Sequence, residues 1–223
     1  MLCLWYVATQ QQWLPEQILP APQLVWSTTV ELWQSGELQF HFAVSASRIL
    51  WSVLIGASVG LFLGTWLAVA KRSRDYVFPS INLIAQFPIV GWNHLLMIFL
   101  GIDEKLKIAA ISLAVFPPVL IATYKGIANV PNSLLEVAEV YQFSKWQKLQ
   151  RVIVPAALPS IISGLRQGIM QAWLALVFVE LLASSEGIGY LMVWGRQLLQ
   201  LDIIFMAIVL IGLTGYFLDS GLA

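Results

Sequence analysis

Between Ile49 and Ala70 the chain runs 22 residues without a charged side chain and then meets Lys71, Arg72 and Arg74. A helix rises about 1.5 Å per residue and the hydrocarbon core of a bilayer is about 30 Å thick, so this stretch reads as a membrane span closed by a cytoplasmic basic anchor. Composition agrees. Of 223 residues, 59% are hydrophobic and 11% charged, against roughly 45–50% and about 25% in soluble domains. Twelve acidic and twelve basic residues are too few to clothe a soluble protein of this size.

Four further spans follow from the same reasoning. Tyr76 to Ile102 is uncharged but broken by Pro79, Pro88, Asn93 and His94, which predicts a bent helix or two helical pieces. Ile108 to Tyr124 carries Pro117 and Pro118 at its middle. Prolines inside a membrane helix free backbone carbonyls that neighbouring helices or a water-lined cavity must satisfy. Val152 to Leu182 is interrupted only by Arg166 and Glu180, Ser184 to Tyr190 reads as a turn, and Ile203 to Leu218 closes the set. The apolar run Met1 to Ala8 is too short to span and reads either as the stump of a helix or as an interfacial segment.

The loops after the first and third spans hold seven Lys and Arg residues (Lys71, Arg72, Arg74, Lys125, Lys145, Lys148, Arg151), and the other side holds four (Arg48, Lys105, Lys107, Arg196). The positive-inside rule therefore puts loops 71–75 and 125–155 in the cytoplasm. Residues from about Gln10 to Phe42 then lie outside, with Trp13, Trp26 and Trp33 as an interfacial aromatic belt. Zero net charge gives no footing for nucleic acid. The single cysteine, Cys3, gives neither a disulfide within the chain nor a cysteine zinc site.

The informative loop is Pro131 to Pro159, PNSLLEVAEVYQFSKWQKLQRVIVPAALP. Ser133 is followed three residues later by Glu136, and Ser144 by Gln147; each pair fits a capping box, so two short helices are expected. The first would present Leu134, Leu135 and Ala138 on one side and Glu136 and Glu139 on another. The second would set Trp146, Leu149 and Ile153 against Lys145 and Lys148. A capped amphipathic hairpin of this length suggests a docking surface, with a helix lying on the membrane surface as the alternative.

At these residues the chain resembles the inner-membrane permeases of binding-protein-dependent ABC importers. That family's cytoplasmic loop opens Glu-Ala-Ala and ends in a Pro-Ala-Ala-Leu-Pro-like run; here Glu136-Val137-Ala138 and Pro155-Ala156-Ala157-Leu158-Pro159 hold those places. The similarity continues through Phe143-Ser144-Lys145-Trp146, Ser163-Gly164-Leu165-Arg166, Glu180 and Ser185-Glu186-Gly187-Ile188-Gly189-Tyr190. It extends from about residue 15 to 219 and is greatest toward the branch serving sulfonates, taurine and nitrate. The resemblance implies an all-α type I permease-like bundle of five full transmembrane helices plus a truncated N-terminal one. Residues 1–43 would be that stub and an external amphipathic segment, and 44–223 the transmembrane domain with a coupling loop at 131–155. It implies further that Glu136, Val137, Ala138, Glu139, Tyr141, Gln142, Phe143, Ser144, Lys145 and Trp146 dock a separate cytoplasmic ATP-binding subunit. An extracytoplasmic solute-binding protein would deliver substrate to a homodimer in the inner membrane. The family's loop glycine falls at Gln142, where a side chain is expected to avoid the left-handed conformation, so that the turn is rebuilt or coupling impaired.

No G-x-x-x-x-G-K-[ST] occurs, so ATP would be used by the partner, with no cofactor held by this chain and no enzyme activity of its own. Arg166 and Glu180 are the candidates for the translocation path; 14 positions apart, they lie about 21 Å apart by helical rise and cannot pair within one helix. His41 and His94 have no carboxylate or cysteine at ligand spacing, which points to no metal site. A secondary transporter or channel is the rival reading, motivated by the broken spans and intramembrane charges. A membrane-embedded hydrolase would need a nucleophile and base in a motif, and Ser80, Ser112, Ser163 and His94 have none.

Overall fold

The computed structural model describes residues 2–11, 13, 15 and 18–222. Among them every regular element is a helix: α1 (Leu2–Gln10), α2 (Pro22–Gln34), α3 (Glu37–Val69), α4 (Lys71–Gln86), α5 (Ile89–Leu100), α6 (Glu104–Ala128), α7 (Asn132–Val140), α8 (Lys145–Lys148), a π-helical segment (Leu149–Ile153), α9 (Val154–Ala183), α10 (Ile188–Gln197) and α11 (Leu201–Gly221). Four helical stretches are long and apolar enough to cross a membrane, and α4 with α5 makes a fifth if the bent pair is one span. The two pieces of that pair meet at 101°. Pro88 supplies the break: it follows Phe87 in extended geometry and caps α5.

The chain forms two compact units, one of residues 1–48 and 176–223, the other of residues 49–175. In the second, α6 is the centre. Gly56, Gly60 and Gly64 of α3 lie so close to the carbonyls of Ser112, Phe116 and Leu120 that an added Cβ would stand 2.6–3.0 Å from them. A four-residue spacing of missing side chains lets two membrane helices meet backbone to backbone, where lipid offers no hydrophobic drive. On α9, Gly164 meets Pro118 and Ala122, Gly168 meets Val115 and Val119, and Gly126 of α6 meets Ala157 and Ser160; α6 and α9 therefore run antiparallel. Leu67, Ile81 and Leu120 form the buried core beside them.

In the first unit, α10 and α2 pack on α11 through Val25, Leu32, Leu191, Ile203, Met206 and Ala207. Thr28 donates to Asp202 at 2.6 Å. Trp13, Trp26 and Trp33 are all exposed.

The first long helix begins at Glu37, twelve residues before the charge-free stretch that opens at Ile49. Two local expectations are corrected. Ser133 is not a helix cap: α7 starts one residue earlier, with Pro131 in the cap position and no side-chain bond there. Proline's fixed φ serves that place, leaving Ser133 inside the first turn. The second loop helix is not a separate element either, because α8 passes through the π segment straight into α9. Pro155 explains the widened turn. It lacks the N–H that would bond Arg151 and crowds that carbonyl, and Val154 reaches back five residues to Leu149.

Candidate functional site

The loop between α6 and α9 is shaped by two complementary end structures. At the close of α7 the Gln142 N–H donates to the Glu139 carbonyl at 2.9 Å and the Phe143 N–H to Ala138 at 3.0 Å. These crossed bonds are a Schellman motif, and they need a left-handed residue between them. Gln142 supplies it, with φ of 53°. The expectation that a side chain would avoid this conformation is thus overturned: the turn is kept, and the two bonds hold a non-glycine residue in a region disfavoured by about 1–2 kcal/mol. At α8 the Ser144–Gln147 capping box forms as expected, the Ser144 N–H donating to Gln147 and the Gln147 N–H to the Ser144 hydroxyl.

Between these ends the loop turns apolar side chains outward. Leu134, Val137 and Trp146 are exposed, Val140 is 81% and Tyr141 71% exposed, while Ala138 alone in α7 is buried. Glu136 and Lys145 are exposed and Phe143 is half-buried, its ring beneath the Arg151 guanidinium at 5.8 Å. Lys148 donates to Glu139 at 2.8 Å, and that ammonium holds the Glu139 carboxyl below its usual range. The predicted docking residues therefore lie on one short, ordered stretch.

Glu180 has another setting. It is 0% exposed and its carboxylate is fully engaged. Oε1 accepts from Arg48 Nη1 and from the Ser45 hydroxyl, both at 2.7 Å, and Oε2 from the Gly189 N–H at 2.8 Å. Arg48 also donates to the Glu186 carbonyl at 2.7 Å, Ile188 N–H to Ser45 at 2.9 Å and Gly187 N–H to His41 Nδ1 at 3.0 Å. The network thus ties the turn after α9 to α3. Gly187 has φ of 113°, and a Cβ there would stand 2.2 Å from the Glu180 carboxylate. Arg48, read from the sequence as an external loop charge, is instead 1% exposed. His41 is an acceptor within the network. Sequence reasoning missed Ser45, Arg48 and His41 because their partners lie more than 130 positions away.

A cavity of about 610 Å³ lies in the second unit, walled by α4, α5, α6 and α9. Leu113, Ala114, Pro117 and Pro118 are in its wall, so the two carbonyls that the prolines deprive of helical donors, those of Leu113 and Ala114, belong to residues at a cavity, one of the two settings expected for them. Gln86, Trp92, Lys125, Ser160, Ser163, Gln167 and Gln171 supply its polar side chains. Neither Arg166 nor Glu180 is among the lining residues. Among the described residues no cluster of three potential metal ligands occurs.

Residues 49–222 match the family described as binding-protein-dependent transport system inner membrane component. The chain belongs to that family. It is accordingly a multi-pass permease of the bacterial inner membrane. A putative aliphatic sulfonates transport permease protein of Bacillus subtilis is 36% identical over 220 residues, covering 99% of this chain and 80% of that protein. The taurine transport system permease protein of Escherichia coli is 29% identical, covering 100% and 82%. Among solved structures, an inward-facing conformation of the MetNI methionine ABC transporter superposes with a TM-score of 0.61 at 14% identity, covering 91% of this chain and 99% of that one. The fold is shared at that distance.

Proposed function

We propose that this permease forms the translocation path of an ATP-driven importer for small organic sulfonates, and that α7 with residues 141–146 is the element a cytoplasmic ATPase grips. The observation that carries the docking role is the exposed apolar face of α7, held in a fixed shape by the Schellman turn and the capping box. Exposed apolar surface on an ordered element marks a partner's seat. The sulfonate assignment rests on the relatives, whose names give aliphatic sulfonates and taurine.

Residues 71–75 at the start of α4 and residues 125–155 then face the cytoplasm, and burial of Arg48 and Lys107 supports this by leaving Lys105 and Arg196 on the external side. ATP is bound and hydrolysed by the partner, substrate arrives on an external binding protein, and two copies of this chain meet two ATPase subunits. Closure of the ATPase on ATP moves α7. The helical continuity from α8 through the π segment passes that displacement to α9. A carrier working without an ATPase leaves the outward face of α7 without a purpose.

Glu136→Arg, and separately deletion of residues 137–141, should abolish ATP-dependent uptake of ethanesulfonate while the chain still inserts and accumulates in the membrane. A nucleotide-hydrolysing subunit should co-purify with the native chain and be lost from both variants. Normal uptake by either variant would reject the docking role, and uptake into vesicles without ATP would favour the carrier.

A further inference from the structure

Four polar side chains of α9 share one face. Ser160, Ser163, Gln167 and Gln171 are spaced three, four and four residues apart, which at 3.6 residues per turn confines them to an arc of roughly 80°. Arg166 points about a quarter-turn off that arc and Glu180 to the far side. Ser163, Gln167 and Gln171 are exposed in the single chain. Polar groups on a membrane helix do not face lipid without large loss, so this stripe faces a polar space, and all four residues line the 610 Å³ cavity.

The remaining walls define what fits there. Trp92 of α5 contributes an indole whose buried N–H has no acceptor among the described residues. The antiparallel packing of α6 on α9 sets Lys125 at the Ser160 end. Among the described residues no lining side chain is acidic. Phe87, Pro117, Pro118 and Ile121 make an apolar side. A volume of this size is within the roughly 300–1,000 Å³ of small-molecule sites, and a few convergent polar groups against an apolar wall are their usual form.

We propose that Ser163, Gln167 and Gln171, with Trp92 beside them, form a transient binding site inside the permease for the headgroup of an alkanesulfonate, its tail lying against Phe87, Pro117, Pro118 and Ile121. A sulfonate offers three equivalent acceptor oxygens on a tetrahedral centre, and side-chain amides and hydroxyls one turn apart can serve them together. The donors are neutral. In a low-dielectric passage a facing guanidinium would hold an anion too firmly to let it leave, whereas neutral donors bind it weakly enough to be released along the stripe. Sulfate, doubly charged and without a tail, gains nothing from the apolar wall and must shed more water. The site therefore adds selectivity of its own to that of any binding protein. This inference rests on the importer reading above.

The test uses the complete complex of permease, ATPase and binding protein in liposomes, reading labelled ethanesulfonate delivered per ATP hydrolysed. In Gln167→Leu/Gln171→Leu the ratio should fall about tenfold or more, the loss expected from two hydrogen bonds, while binding-protein-stimulated ATP hydrolysis stays near the native rate. Gln171→Asn keeps the amide but withdraws it by one methylene. It should lower the ratio less than the leucine pair and serves where the double variant fails to accumulate. An unchanged ratio in either variant overturns the site. A native complex that hydrolyses ATP with its binding protein yet delivers no sulfonate overturns instead the substrate reading on which the site depends.

Discussion

Lys148–Glu139 and Arg48–Glu180 are ion pairs of nearly equal length, 2.8 and 2.7 Å, in opposite surroundings. The first has side chains 25% and 72% exposed, the second 1% and 0%. Water screens the loop pair, so it contributes little and can open and close during a transport cycle. The buried pair has no such freedom. Its charges were taken out of water, both oxygens of Glu180 accepting hydrogen bonds, and loss of one member strands the other. Geometry alone would call them equivalent. Burial separates a contact suited to movement from one suited to fixing a turn.

Arg48→Leu is the harshest way to break this contrast. It leaves Glu180 buried and unpaired, and should destabilise the permease by about 3–5 kcal/mol, seen as a lowered melting temperature in detergent and poor accumulation. Arg48→Met with Glu180→Gln removes both charges and should recover much of that loss. A single variant as stable as the native protein would show that the network does not secure the turn. Next in size is Gln142→Pro, which removes the N–H bonded to Glu139 and imposes the wrong φ; it should unwind the end of α7 and stop uptake without affecting insertion. The reverse change, Gln142→Gly, should stabilise the loop by about 1 kcal/mol, detectable as slower amide exchange in residues 138–143.

The smallest effect concerns the loop pair itself. Lys148 holds the Glu139 carboxyl low, so the stabilisation is complete above the ordinary glutamate range and fades as pH falls through the lowered value. Amide exchange over residues 139–148 should therefore quicken in acid, and Lys148→Ala should remove that dependence while changing little else. Raised salt should act in the same direction as acid.

Charge-free length located the spans because lipid thickness sets their size, and Pro88 marked the bend because proline acts on its own neighbourhood. The Ser144 cap was legible for the same reason: its partner is three residues away. Ser133 misled because Pro131 competes for the same role two positions earlier. Arg48 was out of reach, since nothing near it in sequence distinguishes a charge at the end of a span from one turned inward to meet Glu180. The α9 stripe was present in the spacing of Ser160, Ser163, Gln167 and Gln171. Attention to full charges drew the path candidates to Arg166 and Glu180 instead, whereas the α9 side chains that line the cavity are uncharged.

Gln142 carries a consequence for how relatives of this chain are recognised. A motif search that insists on glycine at that place would pass the sequence over, yet the bend that the letter stands for is there in the backbone. What descends in such a loop is a shape, and an alphabet of residues records it only in part.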